Sequence, residues 1–168
     1  MVKLDIVKEM MVQRSFKLLV EESDYMVGKN SINQYIYIKI FNSKFELNVV
    51  REFLWTNFTI DNGNIFLKNS NKNVTQLVII CKSFQNSHVK EFTDISKNIQ
   101  LMREDFFNIN ITKKAPFHQK VEETIIINKK AIPTIKENDP NCIFYNFVKG
   151  DVIKVIRSDG EICYRLVR

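Results

Sequence analysis

The sequence predicts a mixed α+β, or α/β, fold in two parts. Residues 1–112 form an N-terminal α/β domain, a small mixed sheet flanked by helices, and residues 113–168 form a small β-rich domain. The first part alternates between helical and strand periodicity. Within it, the run Leu77–Ile80 is apolar on both faces, as is typical of a central strand covered by helices on each side. The second part is shorter, rich in alternating patterns and contains all three prolines, so we place the junction near Lys113.

The first predicted element is a helix from Asp5 to Glu22, with Asp5 as its N-cap and Ser23 and Asp24 at its end. Its apolar positions at helical spacing are Val7, Met11, Val12, Phe16, Leu19 and Val20. The segment Gln34–Phe41 then alternates, which predicts a half-buried strand. Its inward positions are Ile36, Ile38 and Ile40.

Further helices and strands are predicted up to residue 112. A helix carries Leu47, Val50, Phe53, Leu54 and Phe58. A short strand at Ile65–Leu67 follows, and the Asn-rich stretch Asn69–Asn73 turns into the central strand. Ser87 caps the next helix, whose sheet-facing residues are Val89, Phe92, Ile95 and Ile99. The alternation of Phe106–Thr112 predicts a last strand.

The chain ends inside an alternating pattern. Residues 152–156 and 162–167 alternate on either side of Ser158-Asp159-Gly160, which predicts a hairpin whose second strand is the C-terminus. Chain ends fray unless something holds them. A terminal strand also leaves a vacant edge, which favours pairing with a partner.

Composition restricts the function. The formal net charge is +6, which points mildly toward an anionic partner. Residues 1–102 hold 13 basic and 10 acidic side chains, and residues 103–168 hold 12 and 9, so each part has an excess of +3. This even spread argues against a free-standing DNA-binding transcription factor, because such proteins usually concentrate basic residues on one face.

The cysteines and histidines predict no cofactor and no metal. Cys81, Cys142 and Cys163 are widely spaced among apolar neighbours, which is typical of buried reduced thiols. His88 and His118 stand alone, so the ligand spacing of a zinc site is missing. The N-terminus has no signal-peptide pattern and no stretch has the apolar length of a membrane span, so we expect a soluble, intracellular protein.

Short segments near the C-terminus resemble one family. Ile132-Pro133-Thr134-Ile135 is similar to an LPRI segment, and Asp139-Pro140 to a DP pair followed by a tyrosine, here Tyr145. Gly150–Arg157 resembles GDVVKIIR, and Tyr164–Val167 a YRLV ending. In this order and spacing, these segments resemble the fifth subunit, the small subunit that the three eukaryotic nuclear RNA polymerases share and that archaeal polymerases also contain.

The resemblance reaches upstream and is looser there. Asn110-Ile111-Thr112 and Ala115–His118 look like the family's NIT and VPxH segments, and Val74–Ile80 like its central strand. Thr134 and Phe144 stand where the family usually has Arg, and Val121–Lys130 is too short for the family's usual helix. This trimming, with a composition rich in Asn, Ile, Lys and Phe, leads to the hypothesis of a polymerase subunit from a large DNA virus.

The resemblance implies two sites. The C-terminal part would be an assembly domain held against the largest polymerase subunit, with interface candidates Pro133, Ile135, Asp139, Pro140, Tyr145, Gly150, Arg157, Tyr164 and Arg165. The N-terminal part would be a jaw beside downstream duplex DNA. Its loop after the central strand supplies the DNA-contact candidates, which are Lys82, Asn86, Ser87, His88 and Lys90. Such side chains can contact phosphates without reading bases. An ordinary solvated loop remains an alternative for this segment.

A catalytic role is not expected. The family's jaw looks like restriction-type nucleases, whose active strand ends in an acid, any residue and Lys, but this chain has Ile80-Cys81-Lys82 there. Because an apolar side chain cannot bind Mg²⁺, a degenerate nuclease fold is a weak alternative. The sequence thus predicts a non-catalytic subunit of a multisubunit DNA-directed RNA polymerase, in a hetero-oligomer with other polymerase subunits. We expect it in the nucleus of a cell, or in a cytoplasmic factory and the virion of a large DNA virus.

Overall fold

The computed structural model describes residues 2–70, 72–121 and 131–168. These form two compact units, one ending at Asn108 and the other spanning Ile109–Arg168. Both contain a sheet and at least one helix, which confirms the predicted α+β class. The expectation for Val121–Lys130 falls almost wholly outside the described residues.

The first unit contains three helices and seven strands within the described ranges. The helices are α1 (Leu4–Gln13), α2 (Leu47–Asn57) and α3 (Asn86–Ile95). The strands are β1 (Lys17–Glu21), β2 (Tyr25–Lys29), β3 (Tyr35–Ile40), β4 (Phe58–Asp61), β5 (Asn64–Leu67), β6 (Lys72–Cys81) and β7 (Ile99–Arg103).

These strands join one sheet around β6. The order is β1-β2-β3-β6-β5-β4, with β7 also paired to β6. Strand β6 is parallel to β3 and β7 and antiparallel to β5. Leu77, Val78, Ile79 and Ile80 are fully buried, as expected for the central strand of a sheet covered on both faces.

Helices pack against this sheet. Met11 of α1 lies against Gly28 of β2, where an added Cβ would be 2.5 Å from Met11 Cε, so the strand can carry only Gly beneath the helix without a shift. A second cluster joins α2 and α3 to the sheet through Val50, Leu54, Phe58, Ile65, Val74, Leu77, Ile79, Phe92 and Ile99. Burial of these side chains is the main stabilising contribution to the unit.

The predicted helix Asp5–Glu22 is wrong in its second half. The helix ends at Gln13, and Ser15 adopts a left-handed backbone with φ of 68°. The Phe16 N–H then donates to the Met11 carbonyl oxygen, which closes the helix end. Strand β1 follows, with Leu19 53% exposed rather than buried. Asp5 lies in the first turn, and Lys3 occupies the N-cap position.

Several other predicted boundaries are also wrong. Gln85, rather than Ser87, is the N-cap of α3, and Ile99 begins β7 instead of continuing that helix. Phe58 begins β4. The segment Phe106–Thr112 is not a strand: it lies in and between two short 3₁₀ turns, Glu104–Phe107 and Ile111–Lys113.

Two predicted strands of the first unit are confirmed. The segment Gln34–Phe41 contains β3, and its isoleucines at positions 36, 38 and 40 are buried as the alternation predicts. The segment Ile65–Leu67 lies in β5. Both strands flank the central strand β6, which explains why their inward side chains are buried.

The second unit contains a four-stranded sheet and one helix in its described part. Its elements are β8 (Phe117–Val121), β9 (Thr134–Ile135), α4 (Pro140–Tyr145), β10 (Val152–Ile156) and β11 (Ile162–Val167). The order is β8-β10-β11-β9, with β9 parallel to β11 and the other pairs antiparallel. The predicted C-terminal hairpin is confirmed, and Gly160 takes a positive φ in its turn.

Candidate assembly surface and nucleic-acid loop

The C-terminal strand is held on both sides at its end. Leu166 and Val167 pair with Thr134 and Ile135 of β9, while Leu166 also pairs with Val152 of β10. The Arg168 N–H donates to the Ile135 carbonyl oxygen at 2.9 Å. The expected vacant edge is therefore wrong for the last residues of β11, because a distant two-residue strand occupies it. The part of β11 before Leu166 extends beyond β9.

The Asp139-Pro140 pair begins a helix. The Asp139 carboxylate accepts a hydrogen bond from the Asn141 N–H at 2.8 Å, and Pro140 occupies the first helical position. Asn146, with φ of 59°, ends α4 after six residues. These residues fix where Tyr145 leaves the helix.

Tyr145 packs inside the unit. Its ring stacks on Phe147 with centroids 5.1 Å apart and lies 6.2 Å from the His118 ring. Burial raises the pKa of the Tyr145 hydroxyl, and a hydrogen bond with the His118 backbone opposes this shift. His118 is itself buried, and its Nδ1 lies 2.7 Å from the Pro116 carbonyl oxygen. Burial lowers the pKa of His118. Tyr145 thus joins α4 to β8.

Gly150 and Asp151 form the turn into β10. Gly150 has φ of 96°, and its N–H donates to the Val167 carbonyl oxygen at 3.0 Å. The Asp151 carboxylate accepts from the Val148 N–H at 3.0 Å and pairs with Lys120 Nζ at 2.7 Å. Sequence reasoning missed this buried carboxylate, although Asp151 lies inside the GDVIK motif.

The arginine candidates have partners within the unit. Arg157 pairs with Glu161 across the hairpin turn, and Arg165 donates to the Tyr164 carbonyl oxygen at 3.0 Å. Pro133 is exposed, and its carbonyl oxygen accepts from the Leu166 N–H. Ile135 is half-buried beside the core cluster.

One face of this sheet exposes apolar side chains. Phe117, Ile156 and Ile162 are successive partners across β8, β10 and β11, and Tyr164 follows two residues after Ile162 on the same face. Phe117 is 53% exposed, Ile162 48% and Tyr164 37%. We call these four residues the apolar row. Sequence reasoning identified only Tyr164, because it could not tell which face α4 covers.

The opposite face of the sheet is packed. Its cluster contains Ile153, Val155 and Val167 of the sheet with Cys142 and Phe147. Burial raises the pKa of the Cys142 thiol to about 11, and it has the same effect on Cys81 of the first unit. All three cysteines are free, and Cys163 is half-buried.

The loop after β6 lies at the N-terminus of α3. The side chains of Lys82, Asn86, Ser87 and Lys90 are exposed. His88 is half-buried: its ring stacks on Phe45 with centroids 4.5 Å apart, and its Nδ1 accepts from the Gln85 N–H at 3.4 Å. The structure therefore brings four of the five DNA-contact candidates to the surface and gives His88 a structural contact.

A second loop accompanies this one. The Lys82 N–H donates to the Ser43 carbonyl oxygen at 3.3 Å, and the Phe45 N–H donates to the Ser83 carbonyl oxygen at 3.2 Å. Lys44, between Ser43 and Phe45, is exposed on this second loop. Sequence reasoning missed Lys44, because residues 42–73 matched no family segment. Ile80 and Cys81, at the nuclease-like position, are fully buried.

Comparison with known proteins gives the class of the second unit. The family model described as RNA polymerase Rpb5, C-terminal domain, matches residues 114–167, which cover nearly all of this unit. Over these residues, the second unit is similar to the C-terminal domain of an RNA polymerase subunit of the Rpb5 family.

Two viral proteins are similar to the chain. Uncharacterized protein 092R of Invertebrate iridescent virus 3 is 61% identical over 170 aligned residues, which cover 99% of both chains. Putative DNA-directed RNA polymerase subunit 454R of Invertebrate iridescent virus 6 is 27% identical over 112 residues, 55% of this chain and 61% of that protein. Within the described ranges, no helix is long and apolar enough to cross a membrane.

Proposed function

We propose that this chain is a non-catalytic subunit of a viral multisubunit DNA-directed RNA polymerase. The match of residues 114–167 to the Rpb5 C-terminal domain is the observation that carries the proposal. The similarity to a putative polymerase subunit of an iridescent virus supports it. In this proposal, the large subunits carry out nucleotide addition, and this chain contributes contacts to the largest subunit and to downstream DNA.

The C-terminal unit anchors the chain to the largest subunit through the apolar row. Exposed apolar residues that adjoin one another on a sheet face are typical of a protein interface. Aromatic side chains are also enriched in protein interfaces. Asp139, Tyr145 and Gly150 contribute indirectly, because their contacts lie within the unit and hold the sheet and α4 together.

Substitution of the apolar row tests the anchor. We expect Phe117→Ser and Ile162→Ser each to weaken binding to the largest subunit at least about fivefold. Val148→Ser is the matched control, since Val148 is also 48% exposed but lies outside the row. Competition of each tagged variant against the wild-type chain during polymerase assembly measures the effect. Equal incorporation of all three variants would contradict the proposed anchor.

The N-terminal unit contacts downstream duplex DNA through the loop after β6. Lys44, Lys82 and Lys90 provide exposed positive charge near the N-terminus of α3, where backbone amides also favour anions. These groups can bind phosphates of any sequence, as a transcribing enzyme requires.

The salt dependence of DNA binding tests the jaw contact. In the assembled polymerase, the binding constant K for duplex DNA should depend less steeply on salt in the double variant Lys82→Gln with Lys90→Gln. The slope of log K against log salt should be smaller in magnitude by about 1.8, or about 0.9 for each lost phosphate contact. Lys97→Gln is the control, because Lys97 is exposed but lies after α3. An unchanged slope in the double variant excludes this loop as the contact.

The proposal also predicts where the chain is found, and an alternative function makes a different prediction about its partners. A viral polymerase subunit would be found in a cytoplasmic factory and in the virion, which fractionation of infected cells and purified particles can test. The alternative of a free-standing DNA-binding factor predicts instead that the chain is recovered without large polymerase subunits.

A further inference from the structure

The first unit contains a groove that the proposed function does not use. It has a volume of about 360 Å³ and lies among β1, β2, β3, the end of α2, the end of β5 with residues 68 and 69, and the start of β6. Tyr25, Tyr35 and Tyr37 line it, with apolar side chains beside them and polar side chains from the end of α2 at its wall. An aromatic wall with a few polar groups is typical of a ligand site.

Lysines surround the aromatic wall. Lys29 Nζ lies 5.8 Å and Lys72 Nζ 5.3 Å from the centroid of the Tyr35 ring. Lys17 is the strand partner of Lys29, so a third lysine lies at the same end of the sheet. In the described part of the chain, no carboxylate forms an ion pair with Lys17, Lys29 or Lys72.

The positive charge forms a row rather than a point. Lys17, Lys29 and Lys72 lie on β1, β2 and β6, which span three strand spacings in the order β1-β2-β3-β6, or about 14 Å. This length exceeds the size of one phosphate. Lys68 differs from these three, because its Nζ donates to the Trp55 carbonyl oxygen at the end of α2.

We propose that this groove binds single-stranded nucleic acid. A base stacks against the tyrosine wall, and successive phosphates contact Lys17, Lys29 and Lys72. Aromatic side chains that stack bases, beside a basic track for the backbone, are how proteins bind single strands without sequence preference. The site is separate from the loop after β6 and does not depend on the assignment to a polymerase.

Fluorescence anisotropy of the full chain tests this site. The probe is labelled oligo-dT of about 12 nucleotides, within the site sizes typical of such surfaces. Tyr35→Ile should weaken binding at least about fivefold, whereas Tyr35→Phe should retain it, because Phe keeps the aromatic ring. Unfolding followed by Trp55 fluorescence checks that each variant is folded, since Trp55 is the single tryptophan and lies in this unit.

The charge variants distinguish this site from the jaw loop. In the double variant Lys29→Gln with Lys72→Gln, the slope of log K against log salt for oligo-dT should be smaller in magnitude by about 1.4. This corresponds to about 0.7 for each lost phosphate contact on a single strand. The change in slope for Lys82→Gln with Lys90→Gln should be smaller than for Lys29→Gln with Lys72→Gln, and Lys97→Gln is the neutral control. Loss of oligo-dT binding in the Lys82 and Lys90 variant, with none in the Lys29 and Lys72 variant, would overturn the proposal.

Two further probes distinguish a single strand from other ligands that the groove could bind. If thymidine monophosphate competes as well as the oligonucleotide at equal nucleotide concentration, the groove is a mononucleotide site and the strand proposal fails. If poly-glutamate binds as tightly as oligo-dT and Tyr35→Ile has no effect on either, the lysines bind any polyanion and the proposal fails. Preference for oligo-dT with loss in Tyr35→Ile supports it.

Discussion

The Leu166 N–H donates to the carbonyl oxygen of Pro133 at 3.0 Å, which joins the C-terminal strand to a segment that precedes α4 and the whole hairpin. The Arg168 N–H donates to the Ile135 carbonyl oxygen, and the Glu137 N–H donates to that of Arg168 in the same ladder. The end of the chain is therefore an interior strand of the sheet, which explains why an alternating pattern can continue to the last residues without fraying.

Val167 should be the most sensitive position of this strand. It is fully buried in the core cluster, so Val167→Ala should lower the free energy of unfolding of the C-terminal unit by about 2 kcal/mol. Hydrogen exchange of the β10 amides in the full chain measures the change. Ile162→Ala, at an exposed position, should change it by less than about 0.5 kcal/mol. Equal effects would show that Val167 is not part of the core.

The N-cap of α4 provides a second prediction. Asp139→Ala should cost about 1 kcal/mol of stability, because it removes the acceptor for the Asn141 N–H. Asp139→Asn should retain most of the stability, since Asn is an equally good N-cap. Exchange of the α4 amides reports the effect, and Asn138→Ala, one residue earlier and exposed, is the control. A large loss in the Asn variant would instead indicate that the charge matters.

Substitutions of the two partners in the Lys120–Asp151 ion pair should lower the stability by different amounts. Asp151→Ala removes an acceptor that is almost fully buried and bonded to the Val148 N–H, so it should cost about 2 kcal/mol. Lys120→Gln should cost less than about 1 kcal/mol, because the lysine side chain is 60% exposed and solvent screens the pair. Exchange of β10 amides compares the two. A larger loss of stability in Lys120→Gln than in Asp151→Ala would contradict this prediction.

The pH dependence should come from His118. Burial lowers its pKa below the ordinary 6.5, while the Pro116 carbonyl and Asp139 oppose the shift. The neutral ring is favoured in the folded state, so the unfolded chain binds the proton first as pH falls. The stabilising contribution is therefore complete above about pH 6.5 and decreases below it, by at most about 1.4 kcal/mol per pH unit, until the folded-state pKa is reached.

Protection of the β10 amides, corrected for intrinsic exchange, measures this dependence between about pH 5.5 and 7.5. His118→Gln should flatten the profile, and His88→Gln, in the other unit, should leave it unchanged. A profile that stays the same in the His118 variant would assign the dependence to another group.

Local patterns predicted the elements whose residues are consecutive and buried. The central run Leu77–Ile80 has this property. The C-terminal hairpin was predicted from its turn residues and its alternation, although Ile162 and Tyr164 of its second strand are exposed. Strand β1 was mistaken for helix, since Leu19 and Val20 fit a helical period equally well and Ser15 carries no sequence signal for a left-handed backbone. Strand β9 has two residues and a distant partner, so no local pattern marks it.

For the candidate sites too, the sequence predicts some features and leaves others undetermined. The motif residues Asp139, Tyr145 and Gly150 could be identified from the sequence, but not the fact that their contacts lie inside the unit. Phe117 and Ile162 could not be predicted as exposed, because their exposure depends on which sheet face α4 covers. The loop that carries Lys44 meets the loop after β6 through tertiary hydrogen bonds and the stacking of Phe45 on His88, and neither contact leaves a mark in the sequence.

Purification of the tagged chain from the cells in which it is made tests the polymerase assignment most directly, with a wash at about 0.5 M salt to suppress binding through nucleic acid. Quantitative mass spectrometry then measures the stoichiometry of its partners. We expect recovery of the two large polymerase subunits in equal amounts with the chain, and their loss in the Phe117→Ser and Ile162→Ser double variant. Recovery of the wild-type chain without large polymerase subunits would contradict the assignment.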